Sequence, residues 1–302
     1  MSKDIMKDQA LNRVNIVGKL LDIVFRAGTL SDGRPYESAN MTIRVTQTYG
    51  GREETSEIPV SMFASKYTLA NKPNPSYEQL QSLRKMKTVQ NVGLDDADMI
   101  RINAGSLREN NFVSKSGQLI NGWQINTSFI GSGNTAEVAS FTADIFIMDM
   151  HPEEDRDSDS TGRLIVKGAI VQYNGNLDVL EFIVENPDAV DYIERNWQIN
   201  DTVNIKGRIR MTVAEEKTSG VESSWGEEIP EMTTRTIREL IITKGDDQGK
   251  EEDFAYDPVD IKKAFNARKA RIEQLQVDAK NSGNKTSTTS KTATSKKYDW
   301  EE

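Results

Sequence analysis

The chain has 302 residues, with 38 Lys plus Arg, 47 Asp plus Glu, one His and no Cys, for a net charge of −9. That length calls for about two domains, and an apolar share of 36% leaves part of the chain for tail or linker. Without Cys there are no disulfides, thiolate zinc sites, iron–sulfur clusters or Cys nucleophiles, and the lone His151, in an acidic stretch, supplies neither a two-His metal site nor a well-placed base. The chain is therefore read as no enzyme, with no cofactor and no metal.

No run reaches the roughly 18 apolar residues of a membrane span, and residues 1–9 mix Lys with Asp instead of forming a signal-peptide core. Both features predict a cytoplasmic protein. The charge is uneven: residues 1–150 are net 0, residues 151–245 net −8 and residues 246–302 net −1. A polyanion would meet least repulsion on the first segment and the tail.

In chain order, residues 14–21 read as a strand interrupted by Gly18, residues 31–34 as a turn, and residues 39–48 as a strand ending at Gly50-Gly51. A further strand covers 57–63. Pro73-Asn74-Pro75-Ser76 opens a helix over 77–86, with Tyr77, Leu80 and Leu83 at helical spacing. Strands follow at 99–106, 123–130 and 140–148. The acid-rich run 151–161 reads as a linker. The strand pattern restarts at 163–171, turns at Asn174-Gly175 and returns over 177–184. A short helix spans 187–197, and strands cover 202–213 and 238–243 around a polar hairpin. Trp197 is expected to pack at the helix end.

The two halves echo each other. Each runs through a glycine-bearing strand, a hairpin and a short helix to a strand of the type Ile100-Arg101-Ile102-Asn103-Ala104-Gly105 or Val203-Asn204-Ile205-Lys206-Gly207. Five strands with a helix between the third and fourth is the order of an OB barrel. The fold expected is mainly β, with two tandem five-stranded OB-fold barrels at 10–150 and 162–245, joined by the linker. At the end, Asp257-Pro258 caps an amphipathic basic helix over 257–280. Its stripe of Ile261, Ala264, Phe265, Ile272 and Leu275 is expected to dock on a barrel or another subunit. Residues 281–302 form a low-complexity, disordered tail with an acidic, aromatic tip.

Residues Asn12 to Leu20, the run Ile102 to Arg108, and Ser116-Gly117-Gln118 are similar to the first strand, fourth strand and hairpin of bacterial and phage single-stranded DNA-binding proteins. The tail with its acidic tip resembles their partner-recruiting tail, although the tip Tyr298, Asp299, Trp300, Glu301 and Glu302 lacks a terminal Pro-Phe. The resemblance, an enlarged phage-like version with a second barrel, implies a protein that coats single-stranded DNA in replication or recombination. It also implies recruitment of replication or recombination proteins through the tip. A homodimer would present four barrels.

Sequence-independent single-strand binding needs aromatic faces for bases and cations for phosphates. The candidates are Arg34, Tyr36, Arg44, Tyr49, Arg52, Lys66, Tyr67, Arg108, Phe112, Lys115 and Trp123, with Phe63. Phe63, Phe129 and Phe146 lie in apolar strands and are assigned to the core, whereas Tyr49, Phe112 and Trp123 are open to either ligand contact or incidental exposure. Gly131-Ser132-Gly133-Asn134-Thr135-Ala136 matches a dinucleotide fingerprint, but strand-like alternation follows it and a flexible hairpin is expected. Asp95, Asp96 and Asp98 are read as a charged loop. A reading from another class makes the chain an assembly scaffold that uses OB barrels to bind protein.

Overall fold

The computed structural model describes residues 2–114, 116–155, 158–218 and 231–286, and side chains there apart from 214–218, 231–235 and 282–286. It is mainly β. Strand β1 (Asn12–Thr29) pairs antiparallel with β2 (Pro35–Tyr49), from Lys19 opposite Arg44 to Thr29 opposite Pro35. Gly50 and Gly51, at φ of 55° and 77°, turn β2 into β3 (Arg52–Ser65). Positive φ at both central residues is what a two-residue hairpin of matching twist requires. Helix α1 (Pro75–Ser82) starts where Pro occupies its first turn and Asn74 accepts a hydrogen bond from the Ser76 N–H. It buries Leu80, with Leu83 just beyond it. A short α2 (Val89–Val92) leads to β4 (Met99–Glu109), which pairs with β1. Two small strands, β5 (Phe112–Val113) and β6 (Leu119–Ile120), form a separate hairpin.

Strand β7 (Trp123–Thr127) pairs antiparallel with β4 and parallel with β3. The pairing path β1–β2–β3–β7–β4 thus returns to β1. Gly131 and Ser132, the start of the glycine-rich run, form β8 (Gly131–Ser132) against β4. No helix follows them, so the run lacks the N–H cluster that would hold a pyrophosphate.

The next strand, β9 (Val138–Glu154), corrects the expected boundary. Its first half pairs with β1, from Val17 opposite Val138 to Asn12 opposite Ala143. Its second half pairs with β10 (Ser160–Val171). Of the expected linker 151–161, residues 151–154 and 160–161 are paired strand, with His151 opposite Ile165 and Glu154 opposite Ser160. Glu154, Asp155 and Asp159 are exposed, and Glu153 on β9 pairs with Arg163, so these acids need no burial. Strand β10 continues through Asn174 and Gly175, at φ of 57° and 69°, into β11 (Leu177–Val184). Helix α3 (Pro187–Asn196), capped by the Asn186 side chain on the Asp188 N–H, buries Ile193 and ends at buried Trp197. Strand β12 (Thr202–Thr218) pairs with β9 and with β13 (Glu231–Gly245), and β13 lies parallel to β11. A second pairing circuit closes as β9–β10–β11–β13–β12 and back to β9. The strand expected to finish the first unit therefore opens the second.

Helix α4 (Pro258–Thr286) begins where Asp257 accepts from the Val259 N–H. It runs past the expected end, so 281–286 are helix instead of tail. Ile261 is buried and Ala264 and Phe265 pack on the core, while Ile272 is half-buried and Leu275 exposed. Arg268 pairs with Glu109 of β4, and Arg271 donates to the Asn176 side chain at 3.1 Å. The helix thus spans the seam between the circuits with its first half only. Lys115, Trp225 and the tip 298–302 lie outside the described residues.

Candidate nucleic-acid interface

On β3, β7 and β4 the inward positions are apolar: Val60, Met62, Trp123, Ile125, Ile102 and Leu107 are all buried. Strand alternation then sends Ser61, Phe63, Gln124, Asn126, Ala104 and Ser106 to the outer face. With Thr127 and Ser128 they line an open depression of about 420 Å³. Ser61 stands opposite Asn126, and Asn126 opposite Ser106, so the floor is a row of short polar side chains. None of the lining residues carries a charge.

An aromatic pair forms the rim. The Phe63 ring is 53% exposed and lies 5.1 Å from the Tyr36 ring at a tilt of 36°. Tyr36 in turn packs on Gly28, where a Cβ would come within 2.8 Å of the tyrosine ring. Arg26 faces Ser38, and Ser38 faces Phe63, which sets an exposed guanidinium on the same row as the ring. Phe129, just past the floor, is also 53% exposed. Beside Tyr36, Arg34 donates to the Tyr67 carbonyl at 3.0 Å, and the Lys66 ammonium lies 5.6 Å from the Tyr67 ring. Arg44 is half-buried on β2, between Lys19 and Glu57.

Tyr36, Arg34, Lys66 and Tyr67 thus gather with Phe63 at one end of the depression, and Arg44 lies further along β2. The other candidates are elsewhere. Trp123 faces inward and is buried, with the Arg238 guanidinium 5.2 Å from its ring and donating to its carbonyl at 2.9 Å. Arg108 pairs with Asp178 at 2.9 Å and joins the two circuits. Phe112 is exposed on the β5–β6 hairpin, away from the floor. Arg52 is exposed at the β2–β3 tip, and Tyr49 beside it lies under Arg208 of β12, 4.3 Å from ring to guanidinium. Of the rings assigned to the core, Phe146 is buried, while Phe63 and Phe129 are not. Arg26, Ser61, Gln124, Asn126 and Ser106 were not singled out by sequence. Strand parity was the available signal.

The corresponding face of the second circuit is closed. Arg208 binds Glu54 of β3 at 3.0 Å and Glu185 at 2.9 Å, Arg163 binds Glu239 at 2.7 Å, and Arg210 joins Glu239 to Glu185. Burial pushes the Glu239 carboxyl up, but hydrogen bonds from Arg163 and Arg210 outweigh it and hold the group below the usual carboxylate range. Ser56 of β3 accepts from the Met211 N–H at 3.1 Å. The first circuit's hairpin therefore covers this face with the Glu54 carboxylate and the Tyr49 ring. Asp178, at the seam, is raised above the usual carboxylate range by burial, which Arg108 offsets only in part.

This arrangement, two linked strand circuits with one open outer face, has a known counterpart in fold. It is similar to a deletion mutant of the single-stranded DNA binding protein from Thermus aquaticus, at TM-score 0.50 and 13% identity over 82% of this chain and 97% of that one. The wild-type Thermus aquaticus protein aligns at TM-score 0.49 and 12% identity, over 82% of this chain and 98% of that one. The chain belongs to the YorF family, whose profile matches residues 10–278. No curated protein matches the sequence. Among the described residues no helix is long and apolar enough to cross a membrane, and no cluster of His, Asp and Glu could hold a metal ion.

Proposed function

We propose that each strand circuit is an OB-type barrel, the two sharing β9, and that the first holds single-stranded DNA in the depression on β3, β7 and β4. The observation that carries this reading is the exposed Phe63 ring, paired with Tyr36, above an uncharged polar floor and beside Arg26. A base needs a ring to stack on, and its backbone needs nearby cations. The Thermus aquaticus protein of similar fold is named for the same ligand. The closed second face supports a division of labour, with the first unit gripping DNA and the second supporting assembly. The working role is a coat on exposed strands during replication or recombination, in the cytoplasm of a phage-infected bacterium. The tip 298–302 would recruit the partner protein.

The test is anisotropy of labelled oligothymidine, with duplex as control, for the wild type and Phe63→Ala. A lost stacking contact is worth about 1–3 kcal/mol, so Phe63→Ala should weaken binding roughly 5- to 150-fold. Unchanged affinity would remove the depression from the binding path. The scaffold reading draws on one observation, the ion-paired and acidic second unit, and predicts no single-strand affinity even at low salt.

A further inference from the structure

We infer that the bound strand leaves the depression across the seam between the circuits, along a cationic strip made by Arg13, Lys206 and Lys244. The inference rests on the single-strand reading above and names where the phosphates go. Strands β4, β1, β9, β12 and β13 are neighbours in one continuous run. Arg13 lies between Asn12, which exchanges hydrogen bonds with Leu107, and Val14, which stands opposite Gly105. It is therefore next to Ser106 on the floor. Arg13 stands opposite Thr142, Thr142 opposite Lys206, and Lys206 opposite Lys244. Residues directly opposite on paired strands project from the same face, and all three cations are exposed. Four strand spacings make the track about 19 Å long from Ser106 to Lys244.

The strip is costly without an anion. Like charges directly opposite across a strand pair are destabilising, yet Lys206 and Lys244 hold that relation, and neither makes an ion pair with the described residues. The carboxylate next in line, Asp144, is already held by Lys250 at 2.7 Å, by Lys3 at 3.8 Å and by the Asn204 amide at 2.9 Å. It is thus unavailable to neutralise the strip. The acidic total of the second unit does not oppose this path, because binding follows local potential rather than net charge. A phosphodiester chain supplies spaced single negative charges, and its counterions are released when cations take their place.

The experiment compares two oligothymidines on the full chain, one of about 8 nucleotides and one of about 24, shorter and longer than the roughly 16-nucleotide upper span of one barrel. The variants are the triple R13Q/K206Q/K244Q, the charge-keeping R13K/K206R/K244R, and Phe63→Ala. For the long oligonucleotide the triple neutralisation should lower the salt slope by about 2, at 0.7 per contact, and reduce affinity on the order of a hundredfold at low salt. The short one should lose at most the Arg13 contact, a slope change of no more than about 0.7, and the charge-keeping variant should behave as wild type with both. A long-oligonucleotide slope and affinity unchanged in R13Q/K206Q/K244Q overturn the strip and leave the depression standing if Phe63→Ala still weakens binding. A wild type that binds neither oligonucleotide overturns the strip and the single-strand reading together. Removing a like-charge pair should not lower the melting temperature, so a folding defect is separable by a thermal melt.

Discussion

Gly207 is where the fold can be tested most sharply, because β12 there is flanked by backbone on both sides. It stands opposite Phe141 of β9 and Ile242 of β13. A Cβ at Gly207 would lie 2.1 Å from the Ile241 carbonyl oxygen and 2.4 Å from the Phe141 ring. Ordinary carbon contacts need about 3.5–4.0 Å, so the neighbours would have to part by more than about 1 Å. The carbonyl belongs to a buried strand, and the Phe141 ring is itself held 5.6 Å from that of Phe182. Neither can swing aside as a flexible side chain would. Overpacking a core costs about 1–3 kcal/mol and occasionally more, and with both obstacles fixed Gly207→Ala should cost about 3 kcal/mol or more. Gly33→Ala is the control, since φ is 86° but nothing lies within 4 Å of its Cβ position. That change carries only the left-handed penalty of about 1–2 kcal/mol. Guanidinium unfolding, read as a midpoint shift at constant slope, measures both. A Gly207→Ala loss within about 0.5 kcal/mol, or no larger than that of Gly33→Ala, would refute the close approach at the seam.

The ion-paired second face and the docked helix give two further expectations. Glu239 has a depressed carboxyl in the fold, so the stability it contributes is present above the ordinary carboxylate range and lost as pH falls through the depressed value. Glu239→Gln should therefore destabilise the chain by about 3 kcal/mol near neutral pH, and the deficit should shrink as pH falls below the ordinary carboxylate range; a series of urea unfolding curves from about pH 7 downward reads both. Ile261→Ala, at a fully buried contact of α4, should cost about 2–4 kcal/mol and expose 262–286 to limited proteolysis, whereas Leu275→Ala on the exposed half should change neither.

Local chemistry was readable from the sequence wherever one residue type decides the backbone. Gly50-Gly51 and Asn174-Gly175 announce hairpins through positive φ, and Asp257-Pro258 announces a helix start through capping and a fixed φ. The strand order with a helix before the fourth strand was also legible. Partnership was not. Alternation marks 140–148 as a strand but cannot say that it pairs with β1 on one stretch and with β10 on another. The strand expected to close the first unit therefore takes partners in both circuits. The acidic run 151–161 misled for a related reason: a hairpin turn needs solvated residues just as a linker does.

The aromatic assignments erred in the opposite sense, because residue type was weighed above parity. In β3 the buried series is Ile58, Val60, Met62 and Ala64, so Phe63 must face out; in β7 Trp123 shares the phase of buried Ile125, so it must face in. Two rings thus exchanged roles. The exchange makes functional sense of the rest of the face. An inward Trp123 fills the interior behind the floor, leaving Ser61, Asn126 and Ser106 short enough to keep the depression open. Among the described residues the outward Phe63 then has only Tyr36 as a ring partner. On the closed face of the second circuit the outward side chains include Arg208, Arg210 and Arg163, and Glu54, Glu185 and Glu239 neutralise them. The open face and the closed face follow from which side chains the strand phase sends outward.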